Sequence, residues 1–135
     1  MKPTYSYDQY SGITTCTLRD KSNNVVTGTA KLHPSEQVES QRVGEYIATT
    51  RAEIKYYKLI RRQEILPKLN TLKHLYACIA NTNSKKYNKD SEEAQLVWRQ
   101  YWIAHAEYHA LGDMIESLEM ALREYIKARD KGILD

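Results

Sequence analysis

The chain has 135 residues and a net charge of +3, and 41% of its residues are hydrophobic and 27% charged. The length suits one domain, and this apolar content excludes a disordered or collagen-like chain. The aromatic residues are eleven Tyr and two Trp with no Phe, which favours partly hydrated contact surfaces over a dry core. The small positive charge favours an anionic small ligand and is too weak to indicate nucleic acid as the partner.

No segment approaches the roughly 20 apolar residues of a membrane span, and the first residues lack the apolar region of a signal peptide. We therefore expect a cytoplasmic protein with no membrane partner. The two cysteines, Cys16 and Cys78, belong to no metal-binding or redox motif, and we expect both to be reduced and buried.

Residues 1–34 are predicted to form an antiparallel β-hairpin or small sheet. β-branched residues predict strands over residues 13–19 and 25–32, and Asp20–Asn24 supplies the turn between them. Gly28 indicates either a β-bulge or the close approach of another backbone. Because a lone hairpin is marginally stable, it must pack against a helix or a second copy.

Residues 35–82 are predicted to form one long helix, capped by Ser35. Its apolar seam slips by one residue at a charged stretch before Pro67, so we expect a bend or two helices between residues 61 and 67. The seam residues are Val43, Ile47, Thr50, Ile54 and Tyr57, followed by Ile65, Leu69, Leu72, Tyr76 and Ile79.

A polar connection over residues 81–90 leads to a second long helix over residues 91–131, capped by Ser91. Its seam continues for four heptads without a slip, and the helix is too long for a compact monomer to bury alone. The seam residues are Val97, Tyr101, Ala104, Tyr108, Leu111, Ile115, Leu118, Leu122 and Tyr125.

Together these elements predict an α+β fold for one domain of residues 1–135. A small antiparallel sheet precedes two long antiparallel α-helices, the first kinked near Pro67. Because the helices need partners to bury their seams, we expect a homodimer or higher homo-oligomer formed through helix packing.

Few residues suggest catalysis or metal binding. His105 and His109 stand four residues apart and could chelate a divalent metal if a third ligand came from elsewhere, but the pattern is not HExxH. Asp113 and Glu116 share a helix face, as is typical of a solvated acidic surface. No nucleophile elbow, P-loop or dinucleotide fingerprint is present. We predict a protein that is not an enzyme, with no metal site and no cofactor.

Arginines on tyrosine-rich helices suit a phosphate-bearing nucleotide, because a guanidinium binds phosphate oxygens and an aromatic face stacks on a base. Such arginines are also typical of solvated helix faces that pair with glutamates. Trp98, Tyr101 and Trp102 form an aromatic cluster, which indicates packing against the first helix or an interface anchor.

Three segments, Thr14–Asp20, Thr27–Pro34 and Glu45–Lys55, resemble small phage proteins built as a β-hairpin followed by a helical pair. The family they resemble is the Thoeris anti-defence sponge family, which sequesters immune signals of the cyclic ADP-ribose type. The resemblance implies capture of a cyclic ADP-ribose isomer without cleavage, at subunit interfaces, in the cytoplasm of the infected bacterial host. It also implies cyclic oligonucleotides as a further ligand class.

The resemblance further implies a pocket made of an Arg from the hairpin, an aromatic near the end of the first helix, an Asn near the connection and an Arg from the second helix. The stacking aromatic of that family pocket is a Phe, and this chain has none, so a Tyr would take its place. The matching residues are Arg19, Tyr76 or Tyr87, Asn81 or Asn83, and Arg99, with Arg51 as a further phosphate contact.

Two alternative functions stay open. A helical protein-interaction module that inhibits a host defence protein should depend on exposed aromatics and on the hairpin edge. A nucleic-acid accessory protein should bind DNA in a salt-sensitive way. A sponge should instead lose function with Arg19→Ala or Arg99→Ala while staying folded.

Overall fold

A computed structural model of the protein describes residues 1–31, 41–80 and 92–132. The described elements confirm the predicted α+β class. In chain order they are β1 (Thr4–Asp8), β2 (Ile13–Arg19), β3 (Val25–Lys31), α1 (Gln41–Ile60), a π-helical segment (Arg61–Ile65), α2 (Leu66–Ala80) and α3 (Glu92–Asp130). The predicted helix caps at Ser35 and Ser91 and the connection over residues 81–90 lie outside the described residues.

The chain divides into two compact units. The sheet unit comprises Met1–Lys58 and Met114–Asp135, and the helical unit comprises Leu59–Asp113. Each unit has its own apolar cluster. Among the described helices, none combines the length and apolar content needed to cross a membrane.

The sheet is antiparallel with strand order β1-β2-β3. β2 and β3 confirm the predicted hairpin, and its turn places Asn23 at a positive φ of 64°, a conformation that Asn tolerates better than most residues. β1 was not predicted as a strand. All five of its residues are exposed, so the sequence shows none of the apolar alternation that marks a half-buried strand.

Gly28 of β3 lies directly against the backbone of α1. A Cβ atom at this position would lie 2.2 Å from the Ala48 carbonyl oxygen and 2.4 Å from the Ala52 nitrogen. The β2–β3 register is continuous, with Cys16 paired to Gly28, so there is no bulge here. The predicted close backbone approach is therefore confirmed, and the glycine is what permits it.

The core of the sheet unit lies between the sheet, α1 and the second half of α3. Cys16, Ile47, Ala48 and Ala52 have no exposed surface. The α1 seam predicted from the sequence is buried from Val43 to Ile54 and half-buried at Tyr57. The cluster comprises Cys16, Leu18, Ala30, Val43, Ile47, Ala48, Ala52, Ile54, Ile115 and Leu122.

The helical break predicted between residues 61 and 67 is present as a π-helical turn. The Leu66 N–H donates to the Arg61 carbonyl oxygen, an i to i−5 bond that accommodates one extra residue. One residue is also the size of the slip in the apolar seam. Pro67, the second residue of α2, has no N–H with which to continue the ladder of the preceding turn.

The helical unit buries a small set of side chains between α2 and α3. Leu72, Val97 and Ala104 form its apolar cluster, and half-buried side chains such as Leu69 and Tyr101 pack around them. Within this unit the two helices run antiparallel, since Tyr76 near the end of α2 meets Trp98 near the start of α3. The seam predicted for α3 is buried or half-buried at every position from Val97 to Tyr125.

The two cysteines differ. Cys16 is buried and reduced, as predicted. The prediction that Cys78 is buried is wrong, because its thiol is exposed on α2 and lies 3.5 Å from Nε2 of His74.

Candidate functional site: an aromatic ladder on α3

Aromatic and imidazole side chains of the helical unit form an unbroken series of ring contacts, which we call the aromatic ladder. Tyr76 contacts Trp98 with ring centroids 4.8 Å apart, and Trp98 contacts Trp102 edge-to-face at 5.4 Å. Trp102 contacts His105 at 4.9 Å, and His105 contacts His109 at 4.4 Å. The members are Tyr76, Trp98, Tyr101, Trp102, His105, Tyr108 and His109.

Helical spacing produces most of the ladder. Six of its members stand on α3, each of them three or four residues from another member, and side chains so spaced are neighbours on one helix surface. Tyr101 and Tyr108 are half-buried seam residues, whereas Trp98, Trp102 and His109 are exposed. The ladder therefore runs from the apolar cluster of the unit to its surface.

The outer part of the ladder is unusually apolar for a surface. Trp98 is 44% exposed and Trp102 47% exposed, and Leu96 and Ile103 beside them are each 53% exposed. Tryptophan is highly buried on average, and contiguous exposed apolar surface marks sites of interaction. The position of these side chains thus indicates a binding surface.

A cation borders this surface. Arg99 lines a shallow depression on α3 together with Trp98, Trp102 and Ile103. The Arg99 side chain is exposed and makes no hydrogen bond or ion pair with the residues that the structure describes. Its guanidinium is therefore available to an anionic group that reaches the indole rings.

Arg61 closes the other end of the ladder. Its guanidinium carbon lies 3.7 Å from the centroid of the Tyr108 ring, and its Nε donates to the Tyr108 carbonyl oxygen at 2.9 Å. Gly112 leaves space for this side chain, since a Cβ there would lie 2.7 Å from Nη2 of Arg61. The sequence placed Arg61 in the charged break and among the arginines of the tyrosine-rich helices, and it gave no sign of this contact.

The residues implied by the family resemblance fall into three groups. Tyr76 and Arg99 both belong to the helical unit, where each neighbours Trp98. Arg19 and Arg51 belong to the sheet unit. Arg19 is exposed at the end of β2, whereas the Nη1 of Arg51 donates to the Thr29 carbonyl oxygen at 2.8 Å and so binds the chain's own β3.

The other implied residues, Asn81, Asn83 and Tyr87, lie outside the described residues. Within the described ranges, no group of three or more His, Cys, Asp or Glu side chains is arranged to hold a metal ion. The chemistry that the ladder offers is that of planar faces and edges next to the exposed Arg99 guanidinium, which suits the binding of a flat aromatic ligand that carries negative charge.

Comparison of the chain with protein-family models, with curated proteins and with solved structures finds no match.

Proposed function

We propose that this protein binds and sequesters an anionic nucleotide signal on the aromatic ladder and does not cleave it. The observation that carries the proposal is the exposure of two tryptophans, Trp98 and Trp102, beside the exposed cation Arg99. The proposed ligand class is a cyclic ADP-ribose isomer, with cyclic oligonucleotides as a further class. The proposed place of action is the cytoplasm of an infected bacterial host.

The energetics of such a site are favourable. Stacking of a base on an aromatic side chain contributes about 1–3 kcal/mol, and a hydrogen bond to a charged group contributes about 1.5–3 kcal/mol. Trp98 and Trp102 lie in contact before any ligand arrives, so little side-chain ordering opposes binding. One base and one phosphate can therefore be held by Trp98, Trp102 and Arg99 together.

The resemblance to the Thoeris anti-defence sponges supports the choice of ligand. Tyr76 matches the aromatic position of the family pocket and contacts Trp98. Capture at a subunit interface is part of the proposal, because the family resemblance implies it and Arg19, the hairpin arginine of that resemblance, is exposed. A native mass measurement with and without nucleotide tests this part, and a monomer under both conditions would contradict it.

The chain offers a direct test of ligand binding. Its two tryptophans both belong to the ladder, so selectively excited tryptophan emission reports on this site alone. We expect a cyclic ADP-ribose isomer to change the emission saturably, and heat to release the ligand chemically unchanged. No spectral change with any nucleotide, or recovery of an altered ligand, would contradict the proposal.

Two variants with matched controls locate the site. Arg99→Ala should weaken binding by about tenfold or more, the loss expected for one charge-assisted bond, and Trp98→Ala should do so through lost stacking. Arg123→Ala removes the same charge elsewhere on α3. Tyr46→Ala removes an aromatic that is 43% exposed in the sheet unit. Both controls should bind as the native chain does.

A second candidate is a protein-interaction module that inhibits a host defence protein. Leu96 and Ile103 favour it, because these exposed aliphatic side chains contribute to protein interfaces and are not needed for base stacking. The variant Leu96→Ser separates the two functions, because Leu96 is exposed and does not line the depression beside Arg99. A nucleotide site should keep its affinity in this variant, whereas a protein interface should lose it. The remaining alternative, a nucleic-acid accessory protein, is tested with a single-stranded oligonucleotide. We expect this oligonucleotide to bind only weakly and in a salt-dependent way, whereas tight binding would favour the alternative.

A further inference from the structure

We infer that His105 and His109 form a two-imidazole chelate for a late first-row divalent transition metal ion, Cu²⁺, Ni²⁺ or Zn²⁺. The pair belongs to α3 one helical turn apart, and the Nε2 atoms of the two rings lie 3.3 Å from each other. This inference concerns an ion and does not rest on the proposed nucleotide function.

The separation of the two nitrogens matches the geometry of a chelate. Imidazole nitrogens bind zinc at about 2.0–2.1 Å, and two such bonds at a tetrahedral angle place their nitrogens about 3.3 Å apart. The same separation also allows one ring to donate a hydrogen bond to the other. An ion would replace that single bond with two metal–nitrogen bonds without moving either ring far.

Neighbouring rings hold the chelate in place. His105 contacts the Trp102 ring at 4.9 Å and the Tyr101 ring at 5.9 Å, and His109 contacts the Tyr108 ring at 5.9 Å. The helix backbone fixes the distance between the two residues. Because the rings are oriented before the ion arrives, chelation costs little conformational entropy.

The site has an open coordination sphere. Among the described residues no third His, Cys, Asp or Glu completes a cluster with this pair, and the His109 side chain is exposed. The remaining coordination positions are therefore accessible to solvent or to an added ligand. Imidazole nitrogens bind Cu²⁺, Ni²⁺ and Zn²⁺ well, and Cu²⁺ most tightly of the three. Mg²⁺ and Ca²⁺ prefer oxygen ligands, so the histidine pair should not bind them.

The adjacent indole provides a readout. Because His105 contacts Trp102, a paramagnetic Cu²⁺ ion held by the pair should quench tryptophan emission. Cys78→Ser removes the exposed thiol that lies 3.5 Å from His74 Nε2, which is a competing pair of donors. Titration of this chain with Cu²⁺ should therefore quench emission saturably at one ion per chain, and calorimetry with Ni²⁺ should give the same stoichiometry. Mg²⁺ should have no effect in either measurement.

Three variants decide the matter. His105→Ala and His109→Ala should each weaken Ni²⁺ binding by about a hundredfold, because a two-point attachment becomes a single one. His74→Ala is the matched control, since it removes an exposed imidazole that stands four residues before Cys78 on α2. This control should bind Ni²⁺ as the native chain does.

The metal-free thermal unfolding of each variant checks its fold, and His105→Gln and His109→Gln replace any alanine variant that does not fold. Unchanged Ni²⁺ affinity in the folded His105 and His109 variants would overturn the inference. Loss of binding in His74→Ala would overturn it as well, because the ion would then be held elsewhere.

Discussion

The sheet unit and the helical unit distribute their side chains in opposite ways. The sheet unit buries small and aliphatic residues completely, among them Ile47, Ala48 and Ala52. The helical unit buries Leu72, Val97 and Ala104 but leaves both tryptophans about half exposed. We infer that the sheet unit contributes most of the folding stability, whereas the helical unit leaves its largest aromatic side chains at the surface.

The most damaging single change should be in the sheet unit. Gly28→Ala would place a methyl group within 2.2 Å of a backbone oxygen of α1, and backbone, unlike a flexible side chain, cannot rotate away. We expect a loss of about 3 kcal/mol or more in the free energy of unfolding, measured by urea denaturation. Gly44→Ala is the control, because its Cβ would lie 3.1 Å from Thr14 Oγ1, a side-chain atom that has to move by only a few tenths of an ångström. Helix propensity improves there by about 1 kcal/mol, so this variant should lose far less stability than Gly28→Ala. Equal stability of the Gly28 variant and the native chain would contradict the strand-to-helix contact.

Large-to-small substitutions in the two apolar clusters compare how much each unit contributes to the free energy of unfolding. Ile47→Ala empties a fully buried position and should cost about 3–4 kcal/mol. Leu72→Ala belongs to the smaller cluster of the helical unit and should cost about 2 kcal/mol. Urea denaturation of the two variants under identical conditions measures both. A larger loss for Leu72→Ala would reverse the proposed division of stability.

Loss of the Arg61 contact should have a smaller effect. Arg61→Ala removes a cation–π contact and a hydrogen bond to Tyr108, for an expected loss of about 1.5 kcal/mol. Arg62→Ala removes an exposed neighbour of the same charge and should change stability by less than about 0.5 kcal/mol. The thermal unfolding midpoints of the two variants are compared. Equal midpoints would show that the contacts of Arg61 with Tyr108 do not stabilise the fold.

The smallest expected effect is a dependence on pH. The side-chain amide of Asn24, with further donors that include the Tyr56 hydroxyl, lowers the pKa of the Asp20 carboxyl from its ordinary value of 3.8. Because the folded-state pKa is the lower one, this contribution to stability is present above pH 3.8 and is lost as the pH falls through the folded pKa.

Asp20→Asn should remove that acid-dependent part of the stability, and Tyr56→Phe should reduce it less, since it deletes one donor at 2.9 Å. Unfolding midpoints measured over a series of acidic buffers test this. If all three chains lose stability in parallel below pH 3.8, the Asp20 contacts do not contribute.

Periodic apolar residues made most of the fold predictable. The seams of α1 and α3 follow helical spacing and are buried or half-buried as expected, at residues such as Ile47 and Ile115. The one-residue slip before Pro67 indicated a break, although only the hydrogen bond of Leu66 to Arg61 identifies it as a π turn. β1 was missed because all five of its residues, Thr4–Asp8, are exposed, and it has no aliphatic residue to mark a buried face.

The candidate site was less predictable. The sequence placed Trp98 and Trp102 together on one helix, but the contact with Tyr76 depends on how α2 and α3 pack within the helical unit. Tertiary contacts also decide which arginine side chain is left exposed to bind an anionic ligand. Arg51 and Arg61 look like Arg99 in sequence, yet both donate to backbone carbonyl oxygens and Arg99 is exposed.

The contact between Gly28 and α1 has a consequence for recognising related chains. A strand glycine that faces the backbone of a helix at Ala48 and Ala52 requires small residues at three positions simultaneously. Among sequences that share this architecture, glycine on the strand and alanine or glycine spaced four residues apart on the helix should change together. The packing distance between β3 and α1 thus constrains Gly28 together with two helix residues that lie 20 and 24 positions after it in the chain.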